Sequence, residues 1–235
     1  MHIRFDHSPF VPSVTNLLEE LSALGFFHHG LLIGSWPMTV YAEHFTLPYG
    51  LSTNDIDFAV AGVVKMPEAP RETIPELMQR LGYTPLPDYT GIETFIQGEF
   101  EVEFLTHRRG GSGPPAITVK PWQVSAQPLP FIDLLFIRPA EVSIGEFTIA
   151  IPSPEALMVH KLIIAQRRAG SDKENKKSKD LYQCEVLNQV AREEEVQRIL
   201  AEYPMSKDVR RAIETSCREV ELTVPGGLPW LSCKV

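Results

Sequence analysis

Asp55 and Asp57 stand two apart in the run Thr53-Asn54-Asp55-Ile56-Asp57-Phe58-Ala59-Val60. In a β-strand alternate side chains share a face, so both carboxylates project together while Ile56 and Phe58 point to the other side. Two hard oxygen ligands on one face suit magnesium, or manganese in its place, with water and substrate phosphate completing the shell. An Asp-x-Asp pair at a strand end is common on surfaces, so the reading needs a further ligand. Glu101 and Glu103 alternate with Phe100, Val102 and Phe104, which makes a second strand with acid on one face. Glu103 is the better third ligand because it lies in the strand body, whereas Glu101 is nearer a turn, where solvation is the default.

Gly34-Ser35 follows a short apolar run and opens a helix. Unpaired amides and the helix dipole attract phosphate at such a point, glycine permits close backbone approach, and the serine adds a hydroxyl donor. Lys161 and Arg168 are seven apart on one helix, hence on one face, with Arg167 beside them. Such a stripe either faces solvent or neutralises a triphosphate. Lys179 and Asp180 read as the start of the next helix, where the aspartate meets the dipole favourably and can pair with Lys161 or Arg168. Trp36 and Tyr41 can stack a base, although aromatic residues after a turn more often pack a core. His28 and His29, being adjacent, point to opposite faces of a strand, and His107 and His160 read as core or surface residues.

The order apolar strand, Gly-Ser, helix, Asp-Ile-Asp-Phe, then an acid within Val-Glu-Phe-Leu resembles the nucleotidyltransferase superfamily that includes polymerase β, antibiotic adenylyltransferases and toxin-antitoxin nucleotidyltransferases. One departure is the long gap over 42–54. The segments IPSPEALMVHKLIIAQRR and KKSKDLYQCEVL are similar to a bacterial nucleotidyltransferase-fold branch, and look like the lysine helix and the Lys/Arg-Asp helix start of AbiEii-type toxins. The resemblance implies an α+β fold: a polymerase β-like domain with a mixed sheet, followed by a helical C-terminal domain. It also implies Asp55, Asp57 and Glu103 as catalytic metal ligands, and Gly34, Ser35, Lys161, Arg167, Arg168, Lys179 and Asp180 as nucleotide-binding residues.

The elements that must hold these residues are legible in the periodicity. Ser13 is placed to cap a helix carrying Val14, Leu17, Leu18, Leu21 and Leu24, ended by Gly25. Residues 30–33 read as a strand, the helix after Gly34-Ser35 as reaching Tyr41 despite Pro37, and 55–60 as a second strand. A helix over 71–81, closed by Gly82, precedes a hairpin of 92–96 with 100–106. The Gly- and Pro-rich stretch 108–130 reads as a long surface excursion. A short helix over 131–136 and a hairpin of 142–144 with 147–151 complete a catalytic domain over 1–152. From Ser153, an N-cap before Pro154, helices over 154–169, 177–200 and 207–220 form the C-terminal domain, 153–235. The charged link 170–178 reads evenly as a solvated turn or a phosphate contact, and the tail 224–235 as packed on its own domain.

Bulk properties narrow the function. With 43% apolar and 22% charged residues the chain folds around a core, and a net charge of -8 argues against broad wrapping of nucleic acid. Cys184, Cys217 and Cys233 are too few and too scattered for a disulfide framework or a zinc site. The N-terminal run MHIRFDHSPF is no secretion signal, no stretch is long enough to span a membrane, and a cytoplasmic protein is expected. The expected reaction is magnesium-dependent transfer of a nucleoside monophosphate, from ATP or another nucleoside triphosphate, to an acceptor hydroxyl in RNA, protein or a small molecule. The alternatives are a toxin with an antitoxin partner, or a phage-defence toxin, using the same chemistry, and a non-catalytic nucleotide-binding module.

Overall fold

The computed structural model describes residues 1–50, 53–64, 66, 69–108, 114–168 and 171–222, with no side chains described for 171–173. The chain divides into two compact units, Met1–Pro152 and Ser153–Val235, and is of mixed α+β class. The tail 224–235 and Gly170 lie outside the described residues.

In the first unit, strand β1 (His2–Phe5) leads to helix α1 (Pro12–Ala23), which buries Val14, Leu17, Leu18 and Leu21. The cap expected at Ser13 is not used: Pro12, with its fixed φ, takes the first turn, and Val11 precedes it without a side-chain cap. Gly25, at φ 77°, then turns the chain. Strand β2 (Gly30–Leu32) runs into Gly34, and α2 (Trp36–Phe45) extends a turn beyond the expected end to a left-handed Thr46. β3 (Asp55–Val60) follows.

Helix α3 (Ile74–Arg80) starts later than expected because Thr73 and Glu76 cap each other's backbone amides reciprocally. β4 (Thr84–Pro87), β5 (Glu93–Gln97) and β6 (Phe100–His107) form an antiparallel run. The stretch 108–130 is not merely an excursion. It holds a hairpin of β7 (Ile117–Val119) and β8 (Val124–Leu129), and β8 pairs in parallel with the end of β6. Val124 and Ala126 alternate inward and are fully buried, a period-two signal masked by the surrounding Gly and Pro residues. Among the described residues this sheet has the order β2-β3-β6-β5-β4, with β8 and β7 branching from β6. A second sheet joins β9 (Ala140–Ile144) antiparallel to β10 (Phe147–Ile151) and parallel to β1.

The described elements of the second unit are α4 (Pro154–Ala165), α5 (Ser171–Asn188), α6 (Glu193–Glu202) and α7 (Lys207–Glu219). Ser153 caps α4 as expected, its hydroxyl accepting from the Ala156 amide at 3.2 Å. Three readings need correction. The helix expected over 154–169 ends at Ala165, so Arg167 and Arg168 lie beyond it and not on a face shared with Lys161. The link 170–178 is already helix from Ser171, since the Lys and Glu residues there are good helix formers. The helix expected over 177–200 is two, broken between Asn188 and Glu193.

Candidate active site

β3 and β6 are adjacent and parallel, with Asp55 level with Glu101 and Asp57 level with Glu103. Period two therefore sets all four carboxylates on one sheet face, while Ile56, Phe58, Val102 and Phe104 are buried behind them. Phe58 and Phe104 stack at 5.4 Å, which fixes the two strands in register from the core side. Asp55 is exposed, and Asp57 and Glu103 are half-buried. Glu101, discounted as a solvated edge residue, shares this face with the others, as its spacing from Glu103 would have told.

The Gly34-Ser35 bend closes on the same row. The Ile33 amide donates to the Asp57 carbonyl at 2.9 Å, which brings the bend alongside β3. Gly34 has φ 70°, and a Cβ placed on it would stand 2.3 Å from Asp57 Oδ2. Glycine is thus required twice here: for the left-handed backbone and for the carboxylate lying against it. Ser35 is buried and precedes α2, yet its hydroxyl does not cap the helix.

Trp36 and Tyr41 belong to the core and not to an open base pocket. Trp36 is 3% exposed, donates from Nε1 to the Asp55 carbonyl at 2.8 Å, and packs against Phe10 and Phe100. Tyr41 is fully buried, and its hydroxyl donates to the Pro152 carbonyl. Trp36 thereby ties the start of α2 to the start of β3 and helps hold the bend where it is.

Among the described residues no group of three or more His, Cys, Asp or Glu side chains stands ready to enclose a metal ion. The row offers carboxylates in neighbouring pairs. That donor set fits magnesium, which is commonly held by one or two carboxylates plus substrate phosphate and water. Residues 5–64 and 81–107, which supply β2 to β6 apart from the α3 region, contain no Lys or Arg. Carboxylates set side by side in this way repel, and a divalent cation relieves such repulsion.

The second unit collects the other expected residues. Lys161 on α4 is 3% exposed, so it is no solvent-facing stripe. Its Nζ lies 3.2 Å from Asp180 Oδ1, and Arg168 donates from Nε to Asp180 Oδ2 at 3.1 Å. Asp180 and Lys179 lie in mid-helix on α5, not at a helix start, so Asp180 pairs with two cations and does not face a helix N-terminus. Arg167 is exposed and Lys179 half-buried. Neighbouring His160 is pushed down to about 3, first by burial and then by the Lys161 ammonium, and stays neutral. Burial pushes the Cys184 thiol up.

Among the described residues no helix is long and apolar enough to cross a membrane. No match is found among curated proteins. Two solved structures are similar. One is an antigenic nucleotidyltransferase-like protein from Paracoccidioides brasiliensis, 14% identical, covering 88% of this chain and 85% of its own, with a TM-score of 0.47. The other is a tRNA nucleotidyltransferase complexed with a primer tRNA and an incoming ATP analogue, 13% identical, covering 82% of this chain and 57% of its own, with a TM-score of 0.24. Assignment rests instead on a family model described as Nucleotidyltransferase, which matches residues 13–207. With both the acid row and the buried ion group inside that span, the chain belongs to this nucleotidyltransferase family.

Proposed function

We propose that the acid row is the catalytic centre of a magnesium-dependent nucleotidyltransferase that moves a nucleoside monophosphate from a nucleoside triphosphate to an acceptor hydroxyl. The observation that carries this is the register of Asp57 beside Glu103, with Gly34 stripped of any side chain against the Asp57 carboxylate. Asp55 and Asp57, with Glu103, would hold the magnesium. When bound as two ions, magnesium would supply charge neutralisation at the triphosphate and a clamp on the attacking and leaving oxygens. Gly34 and Ser35 grip the outer phosphates by backbone amides and hydroxyl. Glu103 takes the proton of the acceptor hydroxyl. That oxygen bonds to the α-phosphorus, the bond from α-phosphorus to the bridging oxygen breaks, and pyrophosphate leaves.

Lys161, Arg167, Arg168, Lys179 and Asp180 enter the proposal as nucleotide-binding residues. Support comes from two cations sharing one carboxylate, which leaves that group short of negative charge. A triphosphate affinity for Lys161→Met equal to wild type would remove Lys161 from this role.

The test of the reaction is incubation with each labelled nucleoside triphosphate, magnesium and a cell extract, for wild type and Asp57→Ala. Label reaching one acceptor class with wild type alone is the expected result. Equal labelling by both proteins would defeat the catalytic assignment. The AbiEii-type toxin reading predicts the same labelling together with toxicity on expression, relieved by an antitoxin.

A further inference from the structure

The acid row has two unlike flanks. On one side of Asp57 stands β2 with the Gly34-Ser35 bend, and on the other stand β6, β5 and β4 in that order. Pairing carries the row outward on one face: Glu103 lies beside Asp57, Thr94 reaches Glu103, and Leu86 lies beside Thr94. Thr94 Oγ1 donates to Glu103 Oε1 at 3.4 Å. Strand spacing sets Leu86 roughly 10 Å from Glu103. Leu86 is 58% exposed, and Tyr89, in the turn between β4 and β5, is fully exposed.

That turn is firmly built. Asp88 Oδ1 accepts from the amides of Thr90 and Ile92 and from the Thr90 hydroxyl, and Ser125 donates to the Gly91 carbonyl at 2.5 Å. An apolar side chain and a phenol are therefore held out to solvent on a fixed support at the end of the catalytic row.

In-line transfer sets the attacking oxygen and the departing pyrophosphate on opposite sides of the α-phosphorus. With the outer phosphates at the Gly34-Ser35 bend, the acceptor arrives from the far side, over Thr94 and Leu86. Charge on that approach narrows what it is. Residues 81–107 contain no Lys or Arg and carry Asp88, Glu93, Glu99, Glu101 and Glu103. A nucleic-acid backbone finds no counter-charge on these strands. An extended peptide finds no edge to join: β4 needs the N–H groups of Thr84 and Leu86 to pair with β5, and Pro85 and Pro87 leave its free edge without donors.

We infer that the acceptor is a small hydroxyl compound without phosphate groups, taken up across the β5–β4 face. Leu86 contacts its apolar body, Tyr89 bounds it, and Thr94 is a positioning residue that aims Glu103 at its hydroxyl. This rests on the transfer reading above and adds a direction and a chemical class to it.

The test offers wild type, magnesium and α-labelled nucleoside triphosphates three separate acceptor probes: the dialysable metabolite fraction of a cell extract, its dialysed protein fraction, and purified total RNA. Label is expected in the dialysable fraction. Leu86→Asp is expected to raise the KM for that fraction about tenfold while KM for the triphosphate stays within about twofold. Tyr89→Ala, fully exposed and so harmless to folding, is the second variant and should act in the same sense. Thr94→Val should lower kcat and shift the pH profile of kcat/KM, with Thr94→Ser restoring both. Label in RNA or protein alone overturns this inference and leaves the transfer reading intact, whereas label nowhere removes both. Unchanged acceptor KM in both Leu86→Asp and Tyr89→Ala overturns the placement of the acceptor.

Discussion

The acid row on β3 and β6 and the ion group on α4 and α5 use the same kinds of residue to opposite effect. In the second unit opposite charges meet: Lys161 and Arg168 converge on Asp180 in a buried setting. In the first unit like charges meet, Asp57 beside Glu103 and Asp55 beside Glu101, on a face open to solvent. Opposite charges that meet hold a fold together, even where, as here, two cations share one carboxylate. Charges gathered with their own kind are held together by the fold against their repulsion, as the proposed cation site requires.

Substitution should separate the two. Asp57→Ala is expected to cut transfer about a thousandfold or more, above about 4 kcal/mol of barrier, while the melting temperature holds or rises as repulsion falls. A matching loss of stability, read by thermal denaturation, would mean that Asp57 serves the fold. Asp180→Ala should do the reverse, costing about 3–5 kcal/mol of stability by stranding the buried Lys161 ammonium, while the half-buried Arg168 can turn to solvent. Lys161→Met with Asp180→Leu should recover most of that in denaturant titration, because an apolar pair fills the same space. Gly34→Ala sharpens the first half of the comparison: the new Cβ evicts the Asp57 carboxylate, so transfer should fall about a hundredfold, about 2.7 kcal/mol, with wild-type secondary structure by circular dichroism.

At neutral pH the smallest effect is that of His160, which shows only in acid. His160 ordinarily titrates near 6.5 and is pushed to about 3 in the folded chain. Between those values the unfolded chain binds a proton that the folded chain refuses. The stability this residue contributes is complete above 6.5 and falls by up to about 1.4 kcal/mol per pH unit below it. His160→Phe should flatten that slope in melting curves across the range.

The acid row was legible because its chemistry is written in a short period. Asp55, Asp57, Glu101 and Glu103 alternate with residues that must be buried, so face and strand follow from spacing. Their adjacency was legible only through resemblance, since nothing in periodicity says that β3 and β6 run side by side. β1, β4 and the β7–β8 hairpin escaped notice for physical reasons: β4 is exposed throughout and carries two prolines, and β8 ends in Gln127-Pro128-Leu129, which reads as a break. Lys179 and Asp180 were misplaced to a helix start because a charged run resembles a solvated turn. In α5 the same residues lie mid-helix, and Asp180 is taken up by partners on α4 and the turn after it.

β6 changes companions part-way along. Its early residues pair with β5 up to Val102 and its late ones with β8 from Leu105, while β3 accompanies it from Glu101 to Thr106. Glu103 therefore sits at a fork, with one hairpin leaving on each side of it. A change of length or composition in the β7–β8 branch can re-aim this carboxylate without touching Asp55 or Asp57, so the two halves of the acid row can vary independently.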